Sequence, residues 1–248
     1  MSKKNKNKKK KGLFFRFCVW WVKLFYKKSE YIGLENIPNE PCIITGNHSK
    51  AHGPVNAEFY FPTKKLIWCD GPMMYRKEFP EYAYNNFWGG KPNFFCKIGA
   101  HLLAPLITYY FRNADALPVY RDMRIMKTYK ASTDALEAGV NIVILPECPE
   151  PHNEITNKLN EYFVDVARFY YKRTGKELQF LPMYYAVGIK KVIFGKPIKF
   201  DSTAPIEEQR KVICEYLMAE TTAIAKSLPV HKVIPFNNVP KKQYKNSK

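Results

Sequence analysis

The sequence predicts an α/β fold, with a largely parallel or mixed sheet covered by helices on both faces. Three observations predict it. Short, continuous apolar runs of strand length recur through the middle of the chain. Longer stretches with apolar residues at helical spacing separate them, and strand–helix alternation of this kind favours parallel pairing. The 248 residues, 46% of them hydrophobic, supply one large domain with a substantial core.

The strand candidates, in order, are residues 42–45, 66–69, 117–120, 141–146, 180–186 and 191–194. Helical spacing predicts a helix over residues 125–138, stopped by Gly139. A second helix is expected over 155–173, with Ile155, Leu159, Phe163, Val166 and Tyr170 on one stripe and a stop before Gly175. A third covers 206–227 and stops ahead of Pro229. Residues 72–111 are richer in aromatics, Pro and Gly. They read as a loop followed by a helix over 96–111, interrupted at Pro105.

Charge divides the chain into three parts: a basic tail and amphipathic helix at 1–28, a domain at 29–230, and a basic tail at 231–248. The net charge is +18, with seven lysines in residues 1–11 and four in 241–248, which leaves about +7 between them. Residues 13–26 are apolar and aromatic, and Arg16 and Lys23, seven apart, share one helical face. As a helix this segment reaches about 21 Å, short of a ~30 Å hydrocarbon core. A helix lying in the membrane interface fits it, with Trp20 and Trp21 at headgroup depth and lysines over anionic phosphates. No small-residue cleavage site follows, which excludes a secretory signal. The expectation is a peripheral or monotopic protein on the cytoplasmic face of an anionic membrane. The basic tail lacks interleaved aromatics, so nucleic acid is not an expected partner. The six cysteines form no CxxC pair, which fits a reducing compartment.

In parallel α/β sheets ligands collect beyond the carboxyl ends of the strands. Three predicted strands deliver chemistry there: Asn47-His48, Arg121, and Pro146-Glu147. An imidazole, a guanidinium and a carboxylate offer a base, an anion fork and an orienting acid.

The order of these segments resembles the glycerophosphate and lysophosphatidate acyltransferase family, membrane-associated enzymes that acylate glycerolipid precursors. The likeness covers roughly residues 30–200. Gly33-Leu34-Glu35-Asn36-Ile37-Pro38 looks like the family's lead-in, and Asn47-His48 like its N-H-x-x-x-x-D motif. Residues 115–121, ending at Arg121, resemble the second motif, and Leu145-Pro146-Glu147 opens the third. Phe180-Leu181-Pro182-Met183 resembles the fourth, followed by the closing Gly195-Lys196-Pro197-Ile198. The departures fall within the motifs. Gly53 stands where the family has the Asp that holds the histidine, and Asp115 where the second motif has Gly. Cys148-Pro149-Glu150 replaces the third motif's Gly-Thr-Arg.

The resemblance implies a glycerol-3-phosphate acyltransferase-like fold. It also implies transfer of an acyl group from acyl-CoA or acyl carrier protein to a glycerolipid hydroxyl, such as that of a lysophospholipid. His48 would be the general base and Glu147 its catalytic companion, while Arg121, Asn47 and Pro182 would bind substrate. The thioester is a co-substrate, and no cofactor is implied. Asp70, Glu58 and Asp115 are candidate replacements for the absent Asp, and His52 is an accessory candidate. His48 and His52 would share a face if both were helical, a spacing also used by metal ligands, but no third ligand accompanies them and no metal site is expected. A second reading stays open, a non-catalytic member of the same fold that binds lipid or protein at the membrane. Phosphate loops, dinucleotide fingerprints and nucleophile elbows are absent, which excludes kinases, dehydrogenases and serine hydrolases.

Overall fold

The computed structural model describes residues 11–87, 93–236 and 239–248, so the lysine run expected at residues 1–10 lies outside the described residues. In chain order the elements begin with α1 (Leu13–Phe25), β1 (Glu30–Ile32), β2 (Ile43–Gly46), α2 (His52–Tyr60) and β3 (Lys65–Asp70). Next come α3 (Phe79–Phe87), α4 (Phe94–Asn113), β4 (Ala116–Val119), α5 (Ile125–Glu137) and β5 (Asn141–Ile144). The chain continues through β6 (Glu147–Pro151), β7 (Asn157–Leu159), α6 (Asp165–Thr174), β8 (Gln179–Ala186), β9 (Lys191–Phe194), β10 (Ile198–Lys199) and α7 (Ile206–Ser227). They form two compact units, residues 1–27 with 73–114, and residues 28–72 with 115–248.

The larger unit is the predicted α/β fold. Among the described residues its main sheet runs β1-β9-β8-β2-β5-β3-β4, with β10 paired to β8. Strands β8, β2, β5, β3 and β4 are all parallel, and β9 joins β8 antiparallel. Alternate residues of the central strands enter different cores. Ile43, Ile142, Ile144 and Phe180 pack with α5, α6 and α7. Ile44, Val143 and Leu181 face the other way, with Ala57 of α2. Both faces of the sheet are therefore buried, which explains why its strands read as unbroken apolar runs.

The expected helix over 155–173 forms only in its second half, as α6. Asparagines explain the shortfall. The Asn153 side chain accepts the Ile155 and Thr156 N–H groups at 2.8 and 2.9 Å, and Asn160 accepts from Tyr162 at 3.2 Å. Side chains of this kind compete with helical hydrogen bonding. Residues 157–159 pair with β6 instead. The apparent stripe is split, since Ile155 belongs to a different cluster from Phe163, Val166 and Tyr170.

The smaller unit holds α1, α3 and α4. The segment expected as a loop contains α3, and α4 runs unbroken through Pro105. Pro105 lies on the exposed side, and the Thr108 hydroxyl donates to the Ala104 carbonyl at 2.7 Å in the adjoining turn. Here α1 meets α4 through Phe14 on Tyr109 and Phe15 on Tyr110, with ring centroids 5.5 and 5.2 Å apart.

Candidate functional site

The parallel strands deliver four polar side chains to one edge: His48 two residues beyond β2, Glu147 three beyond β5, Asp70 at the end of β3, and Arg121 two beyond β4. In sheet order β2, β5, β3 and β4 are neighbours, so one edge collects them.

Asn47 fastens the turn that carries the histidine. Its Oδ1 accepts the Tyr185 N–H at 2.7 Å, and its Nδ2 donates to the Tyr185 carbonyl at 3.2 Å and the Ser49 hydroxyl at 2.7 Å. The amide thus stands in for one more residue of the β2–β8 ladder, and its polar atoms are spent on the protein. Ser49 and Lys50 then take left-handed backbone conformations, with φ of 44° and 56°. Two adjacent non-glycine residues in this region are strained. The strain turns the Lys50 carbonyl back toward the imidazole, where it lies 2.5 Å from His48 Nδ1. A carbonyl can only accept, so Nδ1 carries the proton and Nε2 keeps a free lone pair. A backbone carbonyl orients this ring, as a carboxylate would in the motif His48 resembles.

Gly53 shows why the carboxylate is absent from its expected place. A Cβ there would lie 2.7 Å from both the Asn47 and the His48 carbonyl oxygens. The Gly53 N–H donates to the His48 carbonyl at 3.0 Å, so the helix start is pressed against the histidine's own backbone. An Asp does not fit. His48 precedes α2 and His52 is its first residue, so the two do not share a helical face. Among the described residues no group of three His, Cys, Asp or Glu side chains is gathered for a metal.

The carboxylate candidates separate cleanly. Glu58 and Asp115 both approach Lys65, at 2.6 and 3.9 Å, at the opposite end of β3. Asp70 is the one whose charge reaches the imidazole. Burial lowers the His48 pKa, opposed by the Lys50 hydrogen bond and by Asp70. The ring is therefore neutral at neutral pH, as a base must be.

Glu147 serves the loop. Its carboxylate accepts the His48 N–H, and the Asn157 N–H as well. Burial raises its pKa to about 7 against these two donors. Arg121 is exposed, and its charge lowers the pKa of Cys148 beside Glu147 against the larger effect of burial. The preceding Tyr120 ring lies across Gly71, where a Cβ would sit 2.2 Å from it. Pro182 is not brought to this edge: it is buried within β8 opposite Thr45, its carbonyl accepting from Gly195 at 2.9 Å.

Described residues of the C-terminal tail pack on the same loop. Phe236 meets the His48 ring edge-on with centroids 5.5 Å apart, and Lys50 Nζ donates to the Val239 carbonyl at 3.4 Å and lies 5.2 Å over Tyr244. His231 anchors the segment, accepting the Tyr184 hydroxyl at 2.9 Å through Nε2 while Nδ1 donates to the Pro229 carbonyl at 2.8 Å. Asp70 stands at a strand end and was within reach of the strand-end rule. Phe236 carries no sequence signal for this contact, and neither does the Lys50 carbonyl.

No family model matches this chain, and no curated protein does. Among solved structures it is similar to the 1-acyl-sn-glycerophosphate acyltransferase PlsC from Thermotoga maritima. The match has 16% identity and a TM-score of 0.48, and covers 85% of this chain and 76% of that one. Residue roles are accordingly read from this chain's own geometry.

Proposed function

We propose that the protein is an acyltransferase in which His48 is the general base. The observation that carries this reading is the tautomer: a half-buried imidazole whose Nδ1–H is held by the Lys50 carbonyl, leaving Nε2 basic. Nε2 takes the proton of an acceptor hydroxyl as its oxygen bonds to the carbonyl carbon of a thioester. The tetrahedral adduct then expels the thiolate, which takes that proton from the imidazolium. Asp70 stabilises the transient cation, and Glu147 holds the His48 backbone in place. Arg121, exposed at the adjoining strand end, binds the anionic headgroup of a glycerolipid acceptor such as a lysophospholipid. Acyl-CoA or acyl carrier protein is the donor.

Residues 1–28 attach the protein to the cytoplasmic face of an anionic membrane, peripherally or monotopically. The exposure of Phe17, Trp20, Trp21 and Phe25 along α1 supports this, together with the absence of acidic residues from the helix.

Radiolabelled acyl-CoA and acyl carrier protein thioesters, offered with a panel of glycerolipid acceptors, test the chemistry. Turnover should appear with one pair and fall by about 10²–10⁴ in His48→Ala. No turnover on any pair, with lipid binding unchanged in His48→Ala, would establish the second reading, a non-catalytic lipid-binding protein. The Phe236 ring against His48 is the observation that favours it.

A further inference from the structure

We infer that α4 is a second lipid-facing element, which rests its outer surface in the headgroup–acyl boundary of an anionic bilayer. The inference does not need the acyl-transfer chemistry. Its basis is a reversal of the usual order of inside and outside. At about 100° per residue, Ala100, Ala104 and Thr108 form one stripe of α4. These small residues are the buried ones, and Ala100 and Ala104 join Phe79 and Ala83 of α3 in a cluster. The diametrically opposite stripe carries Phe95, Leu102 and Leu106, with Ile98 at its border, all exposed; Phe95 is 79% and Leu102 74% accessible. His101 turns toward the α3 side, where its ring meets the Tyr84 hydroxyl at 3.0 Å. Water selects the reverse distribution, with large apolar groups inside and ionic groups outside. Small residues between helices and large apolar ones facing outward are what a hydrocarbon environment selects.

The occupant is lipid because the flanking charge is predominantly basic, with Glu78 and Glu81, at the start of α3, the acidic residues among the described ones of this unit. Neither α1 nor α4 contains an acidic residue. The same unit carries Lys11, Arg16, Lys23 and Lys27, and six more lysines precede them in the sequence. Cations around an apolar face suit anionic headgroups over acyl chains. The stripe from Phe95 to Leu106 is about 16 Å long, which suits a helix lying along the interface.

The test is sedimentation of the full chain with vesicles of phosphatidylcholine and phosphatidylglycerol, comparing wild type, Phe95→Glu/Leu102→Glu/Leu106→Glu, and the α1 variant Phe17→Glu/Trp21→Glu. The α4 variant should lose about tenfold or more in partitioning, because each substitution places a carboxylate at an apolar contact beside anionic lipid. A milder Phe95→Ser/Leu102→Ser variant should show an intermediate loss with an unchanged thermal melt, which separates the effect from misfolding. Wild-type partitioning in both α4 variants would overturn the inference, whatever α1 does. So would unchanged partitioning with loss of a dimer by light scattering, since the face would then belong to a second copy. Reduced binding by the α1 variant alone would leave the anchor at 1–28 standing and remove α4 from the membrane.

Discussion

The two units bury opposite kinds of residue. In the sheet unit Ile43, Ile44, Ile142, Leu181 and Phe180 are inside, with exposed Arg173 paired to Asp134 at 2.6 Å on the surface. In the helical unit the α3–α4 contact is built largely on alanine, while Phe94, Phe95, Leu102, Trp20 and Trp21 are exposed. Composition hides this difference, because both units are rich in apolar residues; only the direction in which the side chains point reveals it. On the inference drawn above, each unit is arranged for a different solvent. Changes in the sheet unit should therefore alter stability and chemistry without moving the vesicle partition coefficient.

The largest expected effect is that of Gly53→Asp. Its Cβ meets backbone oxygens at 2.7 Å, which cannot swing aside as a side chain would. A loss of about 3 kcal/mol in urea denaturation is expected, and a stable variant with raised turnover would break this account of the loop. Glu147→Gln comes next, because an amide can accept from one N–H but opposes the other with its own NH₂. About 1–3 kcal/mol should be lost at low pH. Ionisation adds a pH dependence. The folded-state pKa is raised from 4.5 to about 7, so the wild-type carboxyl contributes stability that is full below pH 4.5 and declines as pH rises through 7. The gap between wild type and Glu147→Gln should narrow across that window in paired melts, and a widening gap would contradict the assigned burial. Asp70→Asn is the smallest. It removes a charge that raises the His48 pKa, so the acid limb of kcat/KM should move to lower pH while the maximum falls about tenfold. A limb that stays in place would take Asp70 out of the site.

Much of the sheet unit was legible because both of its faces are buried, and burial writes itself as apolar runs such as 180–186. The strand-end positions of His48, Arg121 and Glu147 followed from the same pattern. What escaped was work done by backbone and by distance. The atom that holds the imidazole is the carbonyl of Lys50, a group every residue possesses, so its side chain gives no sign of it. The stripe from Ile155 to Tyr170 misled because apolar spacing is blind to asparagine side chains that satisfy the backbone first. In α4 the apolar residues marked a helix correctly, but spacing says nothing about which solvent the apolar face meets.

The strap of residues 231–248 has a consequence for the order of assembly. Lys50 reaches Val239, 189 residues away, and Tyr244, and His48 meets Phe236. Contacts this distant in sequence close late, after the loop between them has been organised. During synthesis from the N-terminus the sheet can begin to gather around β2 while the segment that clasps its turn does not yet exist. The histidine loop is thus among the earliest parts of this unit to be made and among the last to be finished.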